Sequence, residues 1–140
     1  MTPRFLRTPE DELVSPDSIR VLLCDDVQAF RALVRYSLED VDGIEVVGEA
    51  GDGAEGVRQV ADLQPDVILL DLSMPELDGL EAIPAMRESS PQTRIVALSG
   101  FTADRMAEPV IARGAKAYLE KGVEIEEIVA TIRDVYAAAA

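Results

Sequence analysis

Three carboxylates, a hydroxyl and an ammonium each fall at the end of a short apolar run. Asp71 closes the run Asp66-Val67-Ile68-Leu69-Leu70, and Asp25 and Asp26 close Ile19-Arg20-Val21-Leu22-Leu23-Cys24. Ser99, followed by Gly100, ends a run over 94–98, and Lys121 ends one over 116–120. Crowded acids need a cation. Three ionised carboxylates carry about −3, which one magnesium ion and one lysine ammonium would balance with about +3. Magnesium takes oxygen ligands and keeps several waters, which suits one or two carboxylates on an open edge. Calcium fits less well, since the protein oxygens are too few for a cage and no twelve-residue calcium loop is present. A carboxylate beside such an ion can attack phosphorus and become an aspartyl phosphate. In that chemistry the ion orients the phosphoryl group, while Lys121 and Ser99 contact its other oxygens.

These residues can meet only if the runs are neighbouring parallel strands. Runs rich in Val, Ile and Leu, bounded by Pro and Gly, read as strands buried on both faces. They recur at 19–24, 44–49, 66–70, 94–98 and 116–120. Between them the spacing turns helical. Phe30, Leu33, Val34, Ser37 and Leu38 form one stripe over Gln28–Glu39, and Ala54, Val57, Val60 and Ala61 form a second. Further helices are expected over Gly79–Glu88, Ala103–Arg113 and Glu124–Tyr136, the last with Ile125, Ile128, Val129 and Ile132 on one side. Pro84 and Pro109 predict kinks or delayed starts in two of them. Strand and helix thus alternate five times. The expected fold is α/β, a doubly wound five-stranded parallel sheet of the flavodoxin-like kind, with helices on both faces. Such a sheet gathers its strand ends on one rim, where ligands bind.

The 140 residues suffice for one core-bearing domain. Residues 1–18 hold three prolines and no period and are expected as a flexible extension; the domain runs over 19–136, with a short tail at 137–140. Lys and Arg number 13 against 27 Asp and Glu, a net charge of −14, which argues against nucleic-acid binding by this chain alone. His is absent, removing His-based triads and His-rich zinc sites. Cys24, the single cysteine, excludes an internal disulfide and reads as core. No run is long enough to span a membrane and the start lacks a signal-peptide stretch, so the cytoplasm is the expected compartment. Neither a Walker pattern nor G-x-G-x-x-G occurs, leaving nucleotide binding without support.

With these residues in hand, the chain resembles the receiver domain of two-component response regulators over essentially all of 19–136. Val21-Leu22-Leu23-Cys24-Asp25-Asp26 resembles the receiver's first strand with its acidic pair, and Leu69-Leu70-Asp71-Leu72-Ser73-Met74-Pro75 with Asp78-Gly79 its phosphoacceptor strand and loop. Ala97-Leu98-Ser99-Gly100 and Ala115-Lys116-Ala117-Tyr118-Leu119-Glu120-Lys121 match its last two strands. The resemblance implies that Asp71 takes a phosphoryl group from a sensor histidine kinase or a phosphotransfer protein. It implies magnesium on Asp26, Asp71 and the main-chain carbonyl of Ser73, with Asp25 acting through a bound water. Ser99 and the ring of Tyr118 would be the switch pair, and Lys121 would pair with Asp71 or its phosphate. The responding surface would be the fourth helix, fifth strand and fifth helix, offered to a downstream protein or a second copy. No catalysis beyond the domain's own phosphorylation and dephosphorylation is implied.

Gly122 stands where many receivers have proline, and the Lys-Gly ending with the Leu-Ser-Met-Pro loop is similar to receivers fused to LuxR-type DNA-binding domains. The chain therefore reads as a free-standing receiver or as a fragment of such a transcriptional regulator. A degenerate receiver that only binds protein is a further alternative. An Asp-nucleophile phosphatase of the haloacid dehalogenase kind needs a general acid two residues after the nucleophile, where Ser73 stands. Plainer readings exist for other residues. Tyr118 can be an edge residue packing on the last helix, Phe101 a cover for the core edge, and Asp78 a turn former before Gly79. Glu124, Glu126 and Glu127 suit the positive end of a helix.

Overall fold

The structure is a computed structural model that describes residues 18–72, 79–100 and 103–138. Ser73, Asp78 and Phe101 lie outside the described residues, as do residues 1–17 of the expected extension and the last two of the tail. The described residues form β1 (Ile19–Cys24), α1 (Gln28–Glu39), β2 (Ile44–Ala50), α2 (Gly53–Leu63), β3 (Val67–Leu70), α3 (Gly79–Ser89), β4 (Arg94–Ser99), α4 (Ala103–Ala112), β5 (Ala117–Glu120) and α5 (Ile125–Ala137). All strand pairs are parallel, in the order β2-β1-β3-β4-β5. The order steps outward on both sides of β1, so the crevice above β1 and β3 is the ligand position of a doubly wound sheet.

The unbroken apolar runs of the central strands follow from burial on both faces. Val21, Leu23, Val67, Leu69, Val96 and Leu98 share one core with Val34 and Leu38 of α1 and Ile128 and Ile132 of α5. Their neighbours Leu22, Cys24, Ile68, Leu70, Ile95 and Ala97 point to the other face, among Val60 of α2, Ala82, Ile83 and Met86 of α3, and Val110 of α4. Helix α2 lies close on β1 because residue 56 is glycine. A Cβ there would stand 2.6 Å from the Cys24 sulfur. The helix begins at Asp52, whose side chain accepts from the Glu55 amide at 2.8 Å, and ends at Gln64 in a left-handed conformation.

Three expectations change. Pro84 and Pro109 lie inside α3 and α4 and delay neither start. Each forgoes one helical hydrogen bond, and the apolar faces packed around Ile83, Met86 and Val110 outweigh that loss. Leu33 is not part of the buried stripe of α1 but 63% exposed, because Phe30, Val34 and Leu38 already form the inward row at i, i+4 and i+8. Ala61 likewise faces outward from α2.

Candidate functional site

Register brings the strand ends level. Cys24 pairs with Ala50 on one side and with Leu70 on the other, and Leu70 pairs with Ala97. The ladder runs one residue further than the strands. The Asp25 amide donates to the Ala50 carbonyl at 3.0 Å, the Asp71 amide to the Cys24 carbonyl at 2.9 Å, and the Lys121 amide to the Ser99 carbonyl at 2.8 Å. Adjacent strands lie about 4.8 Å apart, so Asp25 and Asp71 emerge side by side.

The side chains converge as that placement requires. Asp25, Asp26 and Asp71 each present a carboxylate oxygen within 4.8 Å of the other two. Asp25 and Asp71 are only 5% and 3% exposed, whereas Asp26 faces solvent. Lys121 Nζ stands 2.8 Å from Asp25 Oδ2 and 3.5 Å from Asp71 Oδ2. The shorter contact is thus with Asp25, a pairing that strand-end order alone does not reveal. Burial pulls the Lys121 ammonium towards deprotonation, but its hydrogen bond to Asp25 and the charges of Asp71 and Asp25 win, so its pKa is raised. The ammonium stays charged. Phe30, on the first turn of α1, lies beneath it with the ring centroid 4.7 Å from Nζ.

Asp25 has a second task. Its Oδ1 accepts from the Val27 amide at 2.8 Å, an Asx turn that redirects the chain into α1. Helix α1 has no side-chain N-cap bond of its own, so the acidic pair shapes the entry to the helix without capping it. Arg31, one turn into α1, donates to the main-chain carbonyl of Asp25 and to Glu49 at the end of β2. Phe30 and Arg31 are absent from a reading based on strand ends. Their position just after Asp25-Asp26 was a usable signal, since the first turns of a following helix must pass over the rim.

Ser99 is fully buried at the last position of β4, level with Glu120. Tyr118 is half-buried on β5 opposite Ala97 and packs on the core beneath α2, α3 and α4, away from the last helix. Glu124 stands at the N-cap of α5 without a side-chain cap bond, and Glu126 and Glu127 occupy its first turn. Cys24 is buried beneath the acids. Burial first, then the negative charges of Asp52, Asp25, Asp71 and Glu55, push its thiol up to about 12. It is therefore an inert core thiol.

An all-oxygen donor set, net negative even after Lys121 is counted and open to water at Asp26, fits a small hard divalent cation. A soft metal would ask for sulfur or imidazole. Among the described residues no other group of carboxylates or cysteine has ligand-like spacing.

Comparison with known proteins agrees with this geometry. Residues 21–133 match the family model described as the response regulator receiver domain. The chain is 42% identical over 118 residues to the response regulator UvrY of Escherichia coli K12, covering 84% of this chain and 54% of that protein. It is 44% identical over 115 residues to the transcriptional regulatory protein LiaR of Bacillus subtilis, covering 82% and 54%. Among solved structures, the signal receiver domain of NarL from Mycobacterium tuberculosis superposes with a TM-score of 0.83 at 32% identity, covering 88% of this chain and 99% of that one. The response regulator domain of CheB from Thermotoga maritima gives 0.81 at 28%, with the same coverage. The chain spans about half the length of the curated relatives it matches. No helix among the described residues is long and apolar enough to cross a membrane.

Proposed function

Because the chain belongs to the receiver domains of two-component response regulators, we propose that it is a phosphorylation-controlled switch whose phosphoacceptor is Asp71. The observation that carries this reading is the meeting of three carboxylates within 4.8 Å beside an ammonium 2.8 and 3.5 Å from two of them. An Asp71 carboxylate oxygen attacks the phosphorus of a phosphohistidine on a sensor kinase or phosphotransfer protein. The new O–P bond forms as the P–N bond breaks, and the imidazole leaves with the electron pair. Asp26 and Asp71, with the main-chain carbonyl of Ser73 that the family resemblance implies, would hold magnesium, and Asp25 would reach it through water. When bound, the ion offsets charge on the phosphoryl oxygens and orients them for in-line transfer.

Lys121, kept protonated by its acidic neighbours, donates to a phosphoryl oxygen once the group has arrived. The Ser99 hydroxyl moves in to donate to another, and the ring of Tyr118 follows it inward. A hydrogen bond worth about 1 kcal/mol, more when charge-assisted, suffices to bias a two-state surface. That surface is α4-β5-α5, offered to a downstream protein or a second copy in the cytoplasm. Later attack by water on the same phosphorus breaks the Asp71 O–P bond, releases inorganic phosphate and returns the carboxylate to its starting state. The domain runs over 19–136 between a flexible N-terminal extension and a short tail.

The test is incubation with magnesium and acetyl phosphate, followed by intact mass. One added phosphoryl group is expected, lost in Asp71→Asn and in magnesium-free buffer. Labelling that persists in the Asn variant rejects the assignment, and no labelling at all favours a receiver that only binds protein. A second reading, that this is the receiver portion of a longer LuxR-type DNA-binding regulator, is favoured by the relatives' greater length. Coding sequence for a basic helical segment beyond Ala140 would establish it.

A further inference from the structure

Arg31 and Glu49 lie outside the acidic cluster yet are joined to it by a continuous chain of contacts. Arg31 Nη1 donates to the main-chain carbonyl of Asp25, and its Nε donates to Glu49 Oε1 at 2.9 Å. The other Glu49 oxygen accepts from Arg35 Nη1 at 2.9 Å, and the Glu49 carbonyl accepts from Gln59 at 2.6 Å. Glu49 is therefore fixed from α1 and from α2, at the end of an edge strand. Arg31 is the only link among these that touches the acid-bearing turn.

Its effect on that turn follows from the rigidity of the peptide bond. The Asp25 carbonyl and the Asp26 amide share one plane, so holding the carbonyl fixes where the Asp26 Cα starts and thereby narrows where its carboxylate can reach. The other polar atoms of Asp25 are engaged as well: the amide with Ala50, Oδ1 with Val27 and Oδ2 with Lys121. Without Arg31 the carbonyl of a residue only 5% exposed would lose its partner, and the plane would tilt to find another. Asp26 faces solvent, and among the described residues no comparable contact holds it.

We infer that Arg31, anchored by Glu49, is a positioning residue that presents Asp26 to a divalent cation by clamping the Asp25–Asp26 peptide plane. This rests on the receiver reading of the site. Its sign separates it from a plain charge effect. A guanidinium behind an acidic cluster opposes cation binding electrostatically, so removing it should tighten magnesium binding if charge were all that mattered. Clamping predicts the opposite. Lysine keeps the charge but lacks the planar fork needed to bridge Glu49 and the carbonyl together.

The experiment is calorimetric titration of the intact chain with magnesium chloride, for wild type, Arg31→Lys, Arg31→Gln, Glu49→Gln and the Arg31→Gln/Glu49→Gln double variant. Both Arg31 variants should weaken magnesium about tenfold, the usual scale for losing a partner that orients a metal ligand. Glu49→Gln should weaken it less, and the double variant no more than Arg31→Gln alone. At saturating magnesium the acetyl phosphate labelling rate of Arg31→Lys should return towards wild type, which a general structural defect would not allow. Should Arg31→Gln fail to fold, Arg31→Lys, which keeps the charge and loses only the planar fork, carries the test. Tighter or unchanged binding in Arg31→Gln, wild-type affinity in Arg31→Lys, or wild-type affinity in Glu49→Gln where it alone folds, overturns the inference. If the wild-type chain itself takes up no magnesium, the receiver reading falls first and the inference with it.

Discussion

Replacing Lys121 by methionine keeps the aliphatic stem over Phe30 and removes the charge that stands between two buried acids. At an effective dielectric of about 20, unit charges 2.8 and 3.5 Å apart attract by about 6 and 5 kcal/mol before desolvation is counted. Most of that is cancelled by taking the groups out of water. Stripping one partner from a buried pair costs about 3–5 kcal/mol, because the remaining charge stays behind unpaired. The Lys121 side chain retains 22% of its exposure, so its acids are not wholly cut off from solvent. We therefore expect Lys121→Met to lower metal-free stability by about 2–3 kcal/mol, or a melting temperature lower by about 8–12 °C. Saturating magnesium supplies positive charge to the same carboxylates, so the deficit should shrink when the ion is added. By linkage, the variant should bind magnesium at least as tightly as wild type. Urea denaturation followed by circular dichroism, with magnesium or with chelator, measures both numbers, and labelling reports whether the phosphoryl group still arrives. An equal deficit with and without the ion, or abolished magnesium affinity, would refute the view that Lys121 and the metal act on one acidic cluster and meet at Asp71.

Other outcomes follow from single contacts. Asp26→Asn should raise the magnesium dissociation constant by about tenfold or more while leaving metal-free stability within about 0.5 kcal/mol, since this acid is exposed; titration and melting separate the two. Gly56→Ala places a methyl 2.6 Å from the Cys24 sulfur and 3.1 Å from Met86 Cε, and should destabilise by about 1–3 kcal/mol, partly relieved by a second change, Cys24→Ala. Burial and nearby acids hold the Cys24 thiol near 12, against 9.0 for an ordinary one. Between those values the unfolded chain sheds a proton that the native chain keeps, so stability should fall as pH rises, by up to about 1.4 kcal/mol per unit. Cys24→Ala should flatten that alkaline limb in denaturation curves taken from pH 8 to 12. Lys121 adds to the same limb, because a raised ammonium pKa means that its contribution is complete below 10.5 and disappears above its native value.

The strands were legible because their runs are apolar without interruption, and only burial on both faces of a parallel sheet explains that. Once the runs were placed, Asp25, Asp26, Asp71 and Lys121 had to share a rim, and the coordinates bring all four together. What the pattern could not supply was partner choice between neighbours. Lys121 sits nearer Asp25 than Asp71, a matter of side-chain reach across strands that order alone leaves open. Glu49 pairs with Arg31 and Arg35 because an edge strand ends beside α1, and no local spacing encodes that meeting. Pro84 and Pro109 do not delay the starts of their helices, for the opposite reason. Their local cost is real, yet the buried faces around them are worth more. Leu33 shows the same limit, since a hydrophobic residue beside an already complete inward row has no room left there.

Adjacent residues of β5 belong to different halves of the molecule: Tyr118 is seated with Leu70 and Ala97 on one flank, and Leu119 with Ile128 and Ile132 on the other. The sheet partitions two interiors that do not mix. A substitution at Tyr118 is therefore expected to bear on the flank that holds Val110, and one at Leu119 on the flank that holds α5.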